Sequence, residues 1–378
     1  DPLRLNDSDI QLRVEWLRTA GNDGRGRREQ RQSLLAMRDN WLRQLGAGKA
    51  VSDSADLAQC GTLLAFAYPD RIARRRKGQA NRFLLSNGRG ARFRDAEPLA
   101  ANDFLVAAHL DGEQEAVIYL AASVSRDQLQ EQHADLLREN ALISWDEDQG
   151  AVLTRQQLRL GKLLLDDRPL QDADTEAVQL ALLGGIQSRG LDCLPWNDSS
   201  RQLQLRVGFV KALAPDDWPD ISDAALSEHM HDWLLPFLGG MTRLAHLKRL
   251  DLHAALLAQL SWEQQQQLDQ MAPTHLRVPS GSRLRLDYSE GRPVLAVRLQ
   301  EMFGLADTPR IAGGRVAVLL YLLSPARRPV QVTQDLATFW SGSYHAVKKE
   351  LKGRYPKHPW PDDPLQALPT TRVKPRKR

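Results

Sequence analysis

Cysteine is scarce in this sequence, and long apolar runs are missing. Cys60 and Cys193 are the only cysteines among 378 residues, too few for a disulfide framework. The sequence contains no signal-peptide pattern and no apolar stretch of about 18 residues, so neither secretion nor a membrane-spanning helix is indicated. These absences predict a protein of the reducing cytoplasm. The chain begins at Asp1 instead of Met, and we therefore expect it to be a piece of a longer protein.

A nucleotide-binding motif is also missing. A P-loop requires Gly-x-x-x-x-Gly-Lys-Ser/Thr, because its backbone N–H groups, its Lys and its hydroxyl hold phosphates and Mg²⁺. The nearest stretch, Gly46–Ala50, lacks the hydroxyl and has Arg43 where the first Gly should stand. A helix C-cap is the simpler interpretation, so no ATPase site is predicted for this chain.

Histidines and cysteines do not form a catalytic or metal-binding pattern. His229 and His231 are two residues apart, so on a helix they face away from each other. His246 and His253 share a helical face, but no acid or thiol joins them at ligand spacing. Neither cysteine has a neighbouring base or second thiol. The sequence therefore predicts no metal, no cofactor and no catalytic residue in this chain.

Charge is abundant and unevenly distributed. The chain has 51 Lys and Arg against 47 Asp and Glu, a net charge of +4, yet acids dominate from Asp95 to Gly150. Between Arg71 and Arg94 there is no carboxylate. Concentrated positive charge repels itself unless a polyanion neutralises it, and the release of counterions from that polyanion favours binding.

This basic segment is accordingly predicted to bind nucleic acid, although a solvated charged face remains the alternative. Its candidate residues are Arg71, Arg74, Arg75, Arg76, Lys77, Arg82, Arg89, Arg92 and Arg94.

Local signals in the basic segment predict a helix, a strand and a turn. Pro69 and Asp70 form a turn and an N-cap, so a short cationic helix is expected over residues 71–77. Phe83–Leu85 is expected to be a buried strand. A hairpin turn is expected at Ser86–Gly90, because Asn and Gly tolerate positive φ.

The order of periodic segments predicts an α+β protein of several domains. Residues 1–58 are expected to be helical. Strand-like runs over 83–165, with one helix at 126–140 after the middle strands, fit a five-stranded oligonucleotide-binding (OB) barrel. A meander packed on one helix would give a similar pattern. A further helix is expected at 172–190.

The second half predicts a mixed domain in which helices pack on a small sheet. Beyond about Pro361 the chain is rich in Pro, Lys and Arg, with little to bury, so a disordered basic tail is expected.

A second group of cations lies in this half. Arg283 and Arg285 share one strand face by alternation, and Trp340, Tyr344 and Tyr355 accompany the last cations, where aromatic rings can stack on unpaired bases. The candidate residues are Arg283, Arg285, Arg310, Arg327, Arg328, Lys348, Lys349, Lys352 and Arg354. A solvated face with core aromatics is again the alternative.

Several longer segments resemble the C-terminal region of bacterial DEAH-box ATP-dependent RNA helicases of the HrpB type. These segments are Ala67–Arg76, Leu84–Ala91, His275–Ser282, Val294–Gly304, Thr308–Ile311, Leu323–Leu336 and Gly353–His358. The last five are similar to that family's own terminal domain. The resemblance covers nearly the whole chain from about Leu3.

The resemblance implies a division into domains. Residues 1–58 would be the end of a helical-bundle (ratchet) domain, 59–190 an OB-like domain, 191–360 the family-specific terminal domain and 361–378 the basic tail. The RecA-like motor domains, which hold ATP and Mg²⁺, would lie upstream of Asp1.

The implied function is that of an accessory half of an RNA helicase, which grips single-stranded RNA, or DNA, and supports the motor. A protein-interaction scaffold is the alternative, in which the arginines bind an acidic or ribosomal partner. No membrane partner is expected.

Overall fold

The computed structural model describes residues 7–19, 25–46 and 56–372. Contacts divide the chain into two compact units. The first unit comprises residues 1–143 and 154–173, and the second comprises 144–153 and 174–378. In the described part of the chain, no helix combines the length and hydrophobicity needed to cross a membrane.

The first unit contains short helices and strands. Two of its strands, the sixth and the seventh along the chain, extend into residues 144–153, which are assigned to the second unit. Its helices are α1 (Ile10–Arg18), α2 (Arg25–Gln44), α3 (Cys60–Ala67) and α4 (Arg126–Gln132). Its strands are β1 (Ile72–Arg75), β2 (Arg82–Leu85), β3 (Gly90–Arg92), β4 (Phe104–Leu110), β5 (Glu115–Ser123), β6 (Leu137–Asp146), β7 (Ala151–Leu160) and β8 (Leu163–Pro169).

Strands β1 to β5 close into a barrel in the order β1-β2-β3-β5-β4. β3 and β5 are parallel, and the other pairs are antiparallel. Alternate side chains point inward, so Ala73, Phe83, Leu85 and Leu105 are fully buried in the barrel core. The predicted buried strand at 83–85 and the turn after it are confirmed.

Helices α3 and α4 and strand β8 cover one outer face of the barrel. Ile72, Val106, Leu129 and Leu163 form a second buried cluster there. Helix α3 approaches β5 closely because residue 61 is Gly, where a β-carbon would overlap the carbonyl oxygen of Ser123.

The expected helix over residues 71–77 is wrong. Only Pro69–Arg71 forms a single 3-10 turn, and the chain then enters β1. Arg74 lies opposite Leu84 of β2 on one side and Phe104 of β4 on the other. Pairing on both sides therefore outweighs the local capping signal.

The expected place of the inserted helix is also wrong. Helix α4 follows the fifth barrel strand and ends at Gln132, so the expected helix at 126–140 is too long. Strands β6, β7 and β8 form a separate three-stranded sheet. Between β3 and β4 the chain makes only the 3-10 turn Pro98–Ala101, which buries Leu99 against the barrel core.

The second unit is a mixed helix and sheet structure, and the predicted α+β class is confirmed at that level. Its helices are α5 (Thr175–Arg189), α6 (Asp198–Leu213), α7 (Asp223–Glu228), α8 (Met230–Leu234), α9 (Leu252–Leu257), α10 (Trp262–Met271), α11 (Leu336–Ser341) and α12 (Tyr344–Arg354). Its strands are β9 (His275–Arg277), β10 (Arg283–Arg285), β11 (Val294–Arg298), β12 (Arg310–Ile311), β13 (Val316–Ala317), β14 (Leu319–Leu323) and β15 (Pro329–Thr333).

Three small sheets occur among the described residues of this unit. β9 pairs with β10, β12 pairs with β13, and β11-β14-β15 form the third, in which β11 and β14 are parallel. Trp233, Tyr288 and Phe303 are among the largest fully buried side chains of the continuous core beneath them.

Residues 361–372 contain no helix or strand, yet they are attached to the second unit. The carbonyl of Pro364 accepts a 3.0 Å hydrogen bond from the Gly304 N–H, and the Thr370 N–H donates to the Gln300 carbonyl at 3.0 Å. These contacts differ from the expected disorder. Residues 373–378 lie outside the described residues.

Candidate nucleic-acid interface

The basic end of β1 lies between two clefts of the first unit. The clefts have volumes of about 810 and 750 Å³, and both are lined by Arg74, Arg75, Arg76 and Lys77. The turn after β1 is fixed by a 2.9 Å hydrogen bond from the Arg76 N–H to the Arg82 carbonyl. Four consecutive cations therefore extend from a barrel strand that is paired on both sides.

The fold adds cations from three other elements. Arg126, at the start of α4, lines both clefts, and Arg155, Arg159 and Lys162 line the second. Together with the four residues of the β1 end, eight Arg and Lys side chains surround the clefts, against three carboxylates in the described part of the chain, those of Asp103, Asp166 and Asp167. We call these eight side chains the barrel cation cluster.

Each of the three carboxylates binds one arginine. Arg75 pairs with Asp103 at 2.7 Å, Arg155 with Asp167 at 2.9 Å, and Arg126 with Asp166 at 3.7 Å. The other members, Arg74, Arg76, Lys77, Arg159 and Lys162, form no salt bridge among residues 7–19, 25–46 and 56–372, although Arg159 is near enough to Asp167 to help Arg155 lower the pKa of that carboxyl. The cluster therefore has five more cations than carboxylates.

The Arg155–Asp167 pair keeps its carboxylate ionised. The hydrogen bond from Arg155 is the main cause that lowers the pKa of Asp167. Both side chains are about one-third exposed, and exposed pairs of this kind contribute little stability. Arg155 can consequently exchange this partner for a phosphate at small cost.

Among the described residues, the clefts offer guanidinium groups but no exposed aromatic ring. Phe104 lines the first cleft, and the Arg74 Cζ lies 5.8 Å from its ring centroid. Only 7% of Phe104 is exposed, so its ring is not available to stack on a base. The arrangement suits phosphates, which arginine forks bind through two parallel hydrogen bonds.

The other predicted residues of the basic segment do not line the clefts. Arg71 donates a 3.0 Å hydrogen bond to the Ala108 carbonyl in a bulge of β4, and its Cζ lies 4.6 Å from the Tyr68 ring centroid. Arg89 donates to the Glu113 carbonyl. Arg94 is exposed.

Arg82 and Arg92 lie directly opposite each other on β2 and β3. Glu115 approaches both, at 3.5 and 4.0 Å. This carboxylate offsets a pair of like charges that would otherwise destabilise the strand pairing.

Sequence reasoning missed Arg126, Arg155, Arg159 and Lys162. One signal was present, because Arg155, Gln157 and Arg159 alternate along a strand and so share a face. Their proximity to β1 depends on the packing of β8 against the barrel, which local patterns do not reveal.

The predicted cations of the second unit lie on β10, on β12, in the turn after β14 and on α12. Several already have partners there: Arg285 pairs with Asp198, Lys348 with Asp362, and Arg354 with Glu350 at 3.3 Å. Arg310 donates to the Gly314 carbonyl at 2.6 Å. The remaining candidates are exposed, namely Arg283, Arg327, Arg328, Lys349 and Lys352.

The expected stacking aromatics near the end of the chain are core residues. Trp340 and Tyr344 are 4% and 0% exposed and pack with Phe303 and Phe339. The Tyr344 hydroxyl donates to the Pro361 carbonyl at 2.9 Å. The alternative of core aromatics is therefore correct for these two residues.

Histidines and cysteines have ordinary structural contacts. The His253 Nδ1 lies 3.1 Å from the Ser199 Oγ, and the His246 Nδ1 accepts a 3.2 Å hydrogen bond from the Thr242 N–H. Within the described residues, no group of three or more His, Cys, Asp or Glu side chains is placed to hold a metal ion.

Comparison with known proteins finds similar sequences and structures. The family model HrpB_C, described as ATP-dependent helicase C-terminal, matches residues 233–364, and the model of the ATP-dependent RNA helicase HrpB connector region matches residues 136–170. The ATP-dependent RNA helicase HrpB of Escherichia coli (strain K12) is 43% identical over 325 residues, which cover 85% of this chain. The chain is similar to the C-terminal region of HrpB-like ATP-dependent RNA helicases.

The chain spans about 40% of the length of the curated HrpB sequence that it matches. A crystal structure of the E. coli DExH-box NTPase HrpB is 39% identical to it, with a TM-score of 0.53, and the match covers 98% of this chain and 45% of that one. A crystal structure of the E. coli DEAH/RHA helicase HrpB is 35% identical, with a TM-score of 0.46, covering 94% of this chain and 43% of that one. The resemblance noted from the sequence motifs is confirmed.

Proposed function

We propose that this chain is the accessory nucleic-acid-binding part of an ATP-dependent RNA helicase. Its barrel unit grips single-stranded RNA through phosphates while an upstream RecA-like motor hydrolyses ATP. The observation that carries this proposal is the barrel cation cluster, in which eight cations face three carboxylates around two adjoining clefts. A polyanion relieves the repulsion among them and releases its own counterions.

The barrel topology supports an OB-like assignment. OB barrels have five strands and bind oligonucleotides through the face of strands 2 and 3 and the loops that join strands 1 to 2 and 4 to 5. Here the loop from β1 to β2 begins with Arg76 and Lys77, which belong to the barrel cation cluster. The cationic loop thus occupies a position at which this type of barrel meets its ligand.

The remaining parts follow from the same proposal. In this proposal residues 1–58 end a ratchet domain, the OB-like domain begins at residue 59, and the terminal domain extends to residue 360. Helix α5, which was expected to close the OB-like domain at residue 190, belongs instead to the second compact unit. In this proposal ATP and Mg²⁺ belong to the upstream motor domains. The stretch of this chain nearest to a P-loop lacks the hydroxyl that Mg²⁺ binding uses. That stretch lies mostly outside the described residues. This chain's own residues bind and orient the strand.

Phosphate binding by the cluster predicts a salt dependence. Each phosphate neutralised on a single strand contributes about 0.7 to the slope of log K against log salt concentration. The five cations in excess therefore predict a slope of up to roughly −3.5.

A titration of the chain with a fluorescein-labelled single-stranded oligouridylate, at several salt concentrations between about 50 and 200 mM, tests the proposal. The variant R74Q/R76Q/K77Q removes three cations of the cluster and is expected to bind about tenfold more weakly, with a shallower salt slope. The variant R82Q/R89Q/R94Q removes three charges of the same segment that do not line the clefts, and its affinity should change less than about threefold.

Equal losses in the two variants would show that net charge alone, and not the barrel cation cluster, determines binding. Salt-independent binding would contradict a phosphate-based grip. Recovery of a protein partner from nuclease-treated extract, without RNA binding by the chain, would favour the scaffold function instead.

A further inference from the structure

The hairpin of β9 and β10 in the second unit carries an unusual set of opposing side chains. The two strands are antiparallel, with Arg277 opposite Arg283 and His275 opposite Arg285. Alternation places these four basic side chains on one face, and all four are exposed. Leu276 and Leu284 on the other face pack against the core.

The Arg277–Arg283 pair has no neutralising partner in the described part of the chain. Like charges directly opposite each other in an antiparallel pair are destabilising. At the far end of the hairpin, Arg285 pairs with Asp198, and the Asp287 carboxylate accepts hydrogen bonds from Ser289. Both acids act on Arg285, whose pKa is raised by its hydrogen bond to Asp198 and by the charges of both acids, and neither forms a salt bridge with Arg277 or Arg283 in the described part of the chain.

A comparison within the same chain shows what a neutralised pair of this kind looks like. Arg82 and Arg92 also lie opposite each other, and Glu115 reaches both guanidinium groups. Among the residues that the structure describes, no carboxylate forms a salt bridge with either arginine of the hairpin in the second unit. The repulsion between Arg277 and Arg283 is thus left for a bound anion to offset.

The hairpin is held in place, so the two arginines cannot separate by strand fraying. Its turn is closed by a 3.0 Å hydrogen bond from the Val278 N–H to the Ser282 carbonyl, with Gly281 at φ +85°. The Ser280 hydroxyl donates to the buried Glu301 carboxylate at 2.9 Å. Val278 is itself buried in the core.

We infer that the Arg277–Arg283 pair is a second phosphate-binding surface, which contacts the backbone of a single-stranded nucleic acid independently of the barrel cation cluster. Both residues are arginines, whose planar fork fits phosphate oxygens bidentately. A covalent chain with one phosphate per nucleotide presents successive anions to such a fixed pair. This inference takes one thing from the proposed function, namely that the ligand is a single-stranded nucleic acid.

Binding measurements on the whole chain, with the labelled oligouridylate, test this surface. The variant R277Q/R283Q should bind about three- to tenfold more weakly and lose about 1 to 1.5 from the salt slope, as expected for two phosphate contacts. Its thermal midpoint should be equal to or higher than that of the unchanged chain, because the repulsion is removed. The control K248Q/R249Q removes two exposed charges from another part of the same unit and should leave affinity within twofold.

The same pair of changes in the R74Q/R76Q/K77Q background separates this inference from the proposed function. A further loss in that background supports an independent surface. If R277Q/R283Q lowers the affinity for the oligouridylate and R74Q/R76Q/K77Q does not, this surface is supported and the barrel grip is overturned.

Three results would overturn the inference. The first two are an unchanged affinity of R277Q/R283Q for the oligouridylate and a loss of affinity equal to that of the control. The third is competition by polyglutamate that equals competition by unlabelled oligouridylate of the same length, which would assign the surface to acidic proteins.

Discussion

Trp145 packs directly on the backbone of Gly185 in helix α5, so closely that a β-carbon at residue 185 would lie within 3.0 Å of three atoms of the indole ring. The neighbouring Gly184 has open space at the same position. Two adjacent helical glycines therefore have opposite requirements, and this contrast gives a matched pair of substitutions.

The change Gly185→Ala should lower the free energy of unfolding by about 1–3 kcal/mol, because the indole must move from its packed position. Gly184→Ala should raise it by up to about 1 kcal/mol through helix propensity. Urea denaturation followed by tryptophan fluorescence measures both. Similar effects of the two substitutions would contradict the packing described for Trp145.

Arg206 stabilises the end of helix α10. Its Nε donates to the Ala272 carbonyl at 2.6 Å and its Nη2 donates to Asp269 at 2.5 Å, while only 8% of its side chain is exposed. Arg206→Met should cost about 2 kcal/mol in unfolding free energy, since it removes charged hydrogen bonds and leaves the carbonyl of the buried Ala272 without this donor. The control Arg201→Met, at a partly exposed site on α6, the helix that also carries Arg206, should cost less. A smaller loss at residue 206 than at 201 would be inconsistent with this role.

Arg327 adopts φ +60° in the turn between β14 and β15, a conformation that costs a non-glycine residue roughly 1–2 kcal/mol. Arg327→Gly should therefore raise the free energy of unfolding by about 0.5–1 kcal/mol, after the greater unfolded-state entropy of Gly is subtracted. Arg328→Gly, at a position without positive φ, should lower it. Thermal unfolding by circular dichroism distinguishes the two outcomes.

Asp103 limits the charge of the barrel cation cluster by pairing with Arg75. Asp103→Asn should free that guanidinium and tighten oligouridylate binding about two- to fivefold at low salt. Asp135→Asn, which removes an exposed carboxylate that does not line the clefts, serves as the control. If both changes tighten binding equally, the effect comes from net charge.

Both cysteines should react slowly in the folded chain. Burial is the main cause that raises the pKa of Cys60 and of Cys193, so less thiolate is present at a given pH. At pH 8, alkylation by iodoacetamide should be several-fold slower than in urea, as mass spectrometry can measure. Equal rates in the two conditions would contradict the shift.

The raised thiol pKa values also predict a direction for stability. The buried protonated thiols contribute to the free energy of unfolding below the ordinary thiol pKa. This contribution is lost as the pH rises through the raised pKa values of the folded state. Cys60→Ala/Cys193→Ala should remove that part of the alkaline dependence in urea denaturation at pH 8 to 10.

Sequence patterns predicted the features that depend on neighbouring residues. The strand Phe83–Leu85 and the turn after it follow from apolar side chains next to Asn and Gly. The helix expected after Asp70 failed, because Ile72–Arg75 gains two hydrogen-bonded neighbours that are distant in sequence. A local cap signal is worth only about 1 kcal/mol and is readily outweighed.

The candidate site was predicted in part for the same reason. The cations at 74–77 are contiguous and visible in the sequence, whereas Arg155 and Arg159 join them only through the fold. Their location depends on the sheet of β6, β7 and β8, which the pattern of strands had assigned to the barrel. Trp340 and Tyr344 show the reverse error, since exposure cannot be inferred from aromatic character alone.

The double pairing of β1 has a mechanical consequence. A strand at the edge of an open sheet can be peeled away one hydrogen bond at a time, but a strand within a closed barrel has no free edge. Tension applied through Arg74 or Arg75 is shared between the ladders to β2 and β4. The barrel therefore yields to a pull along β1 only when both ladders shear together.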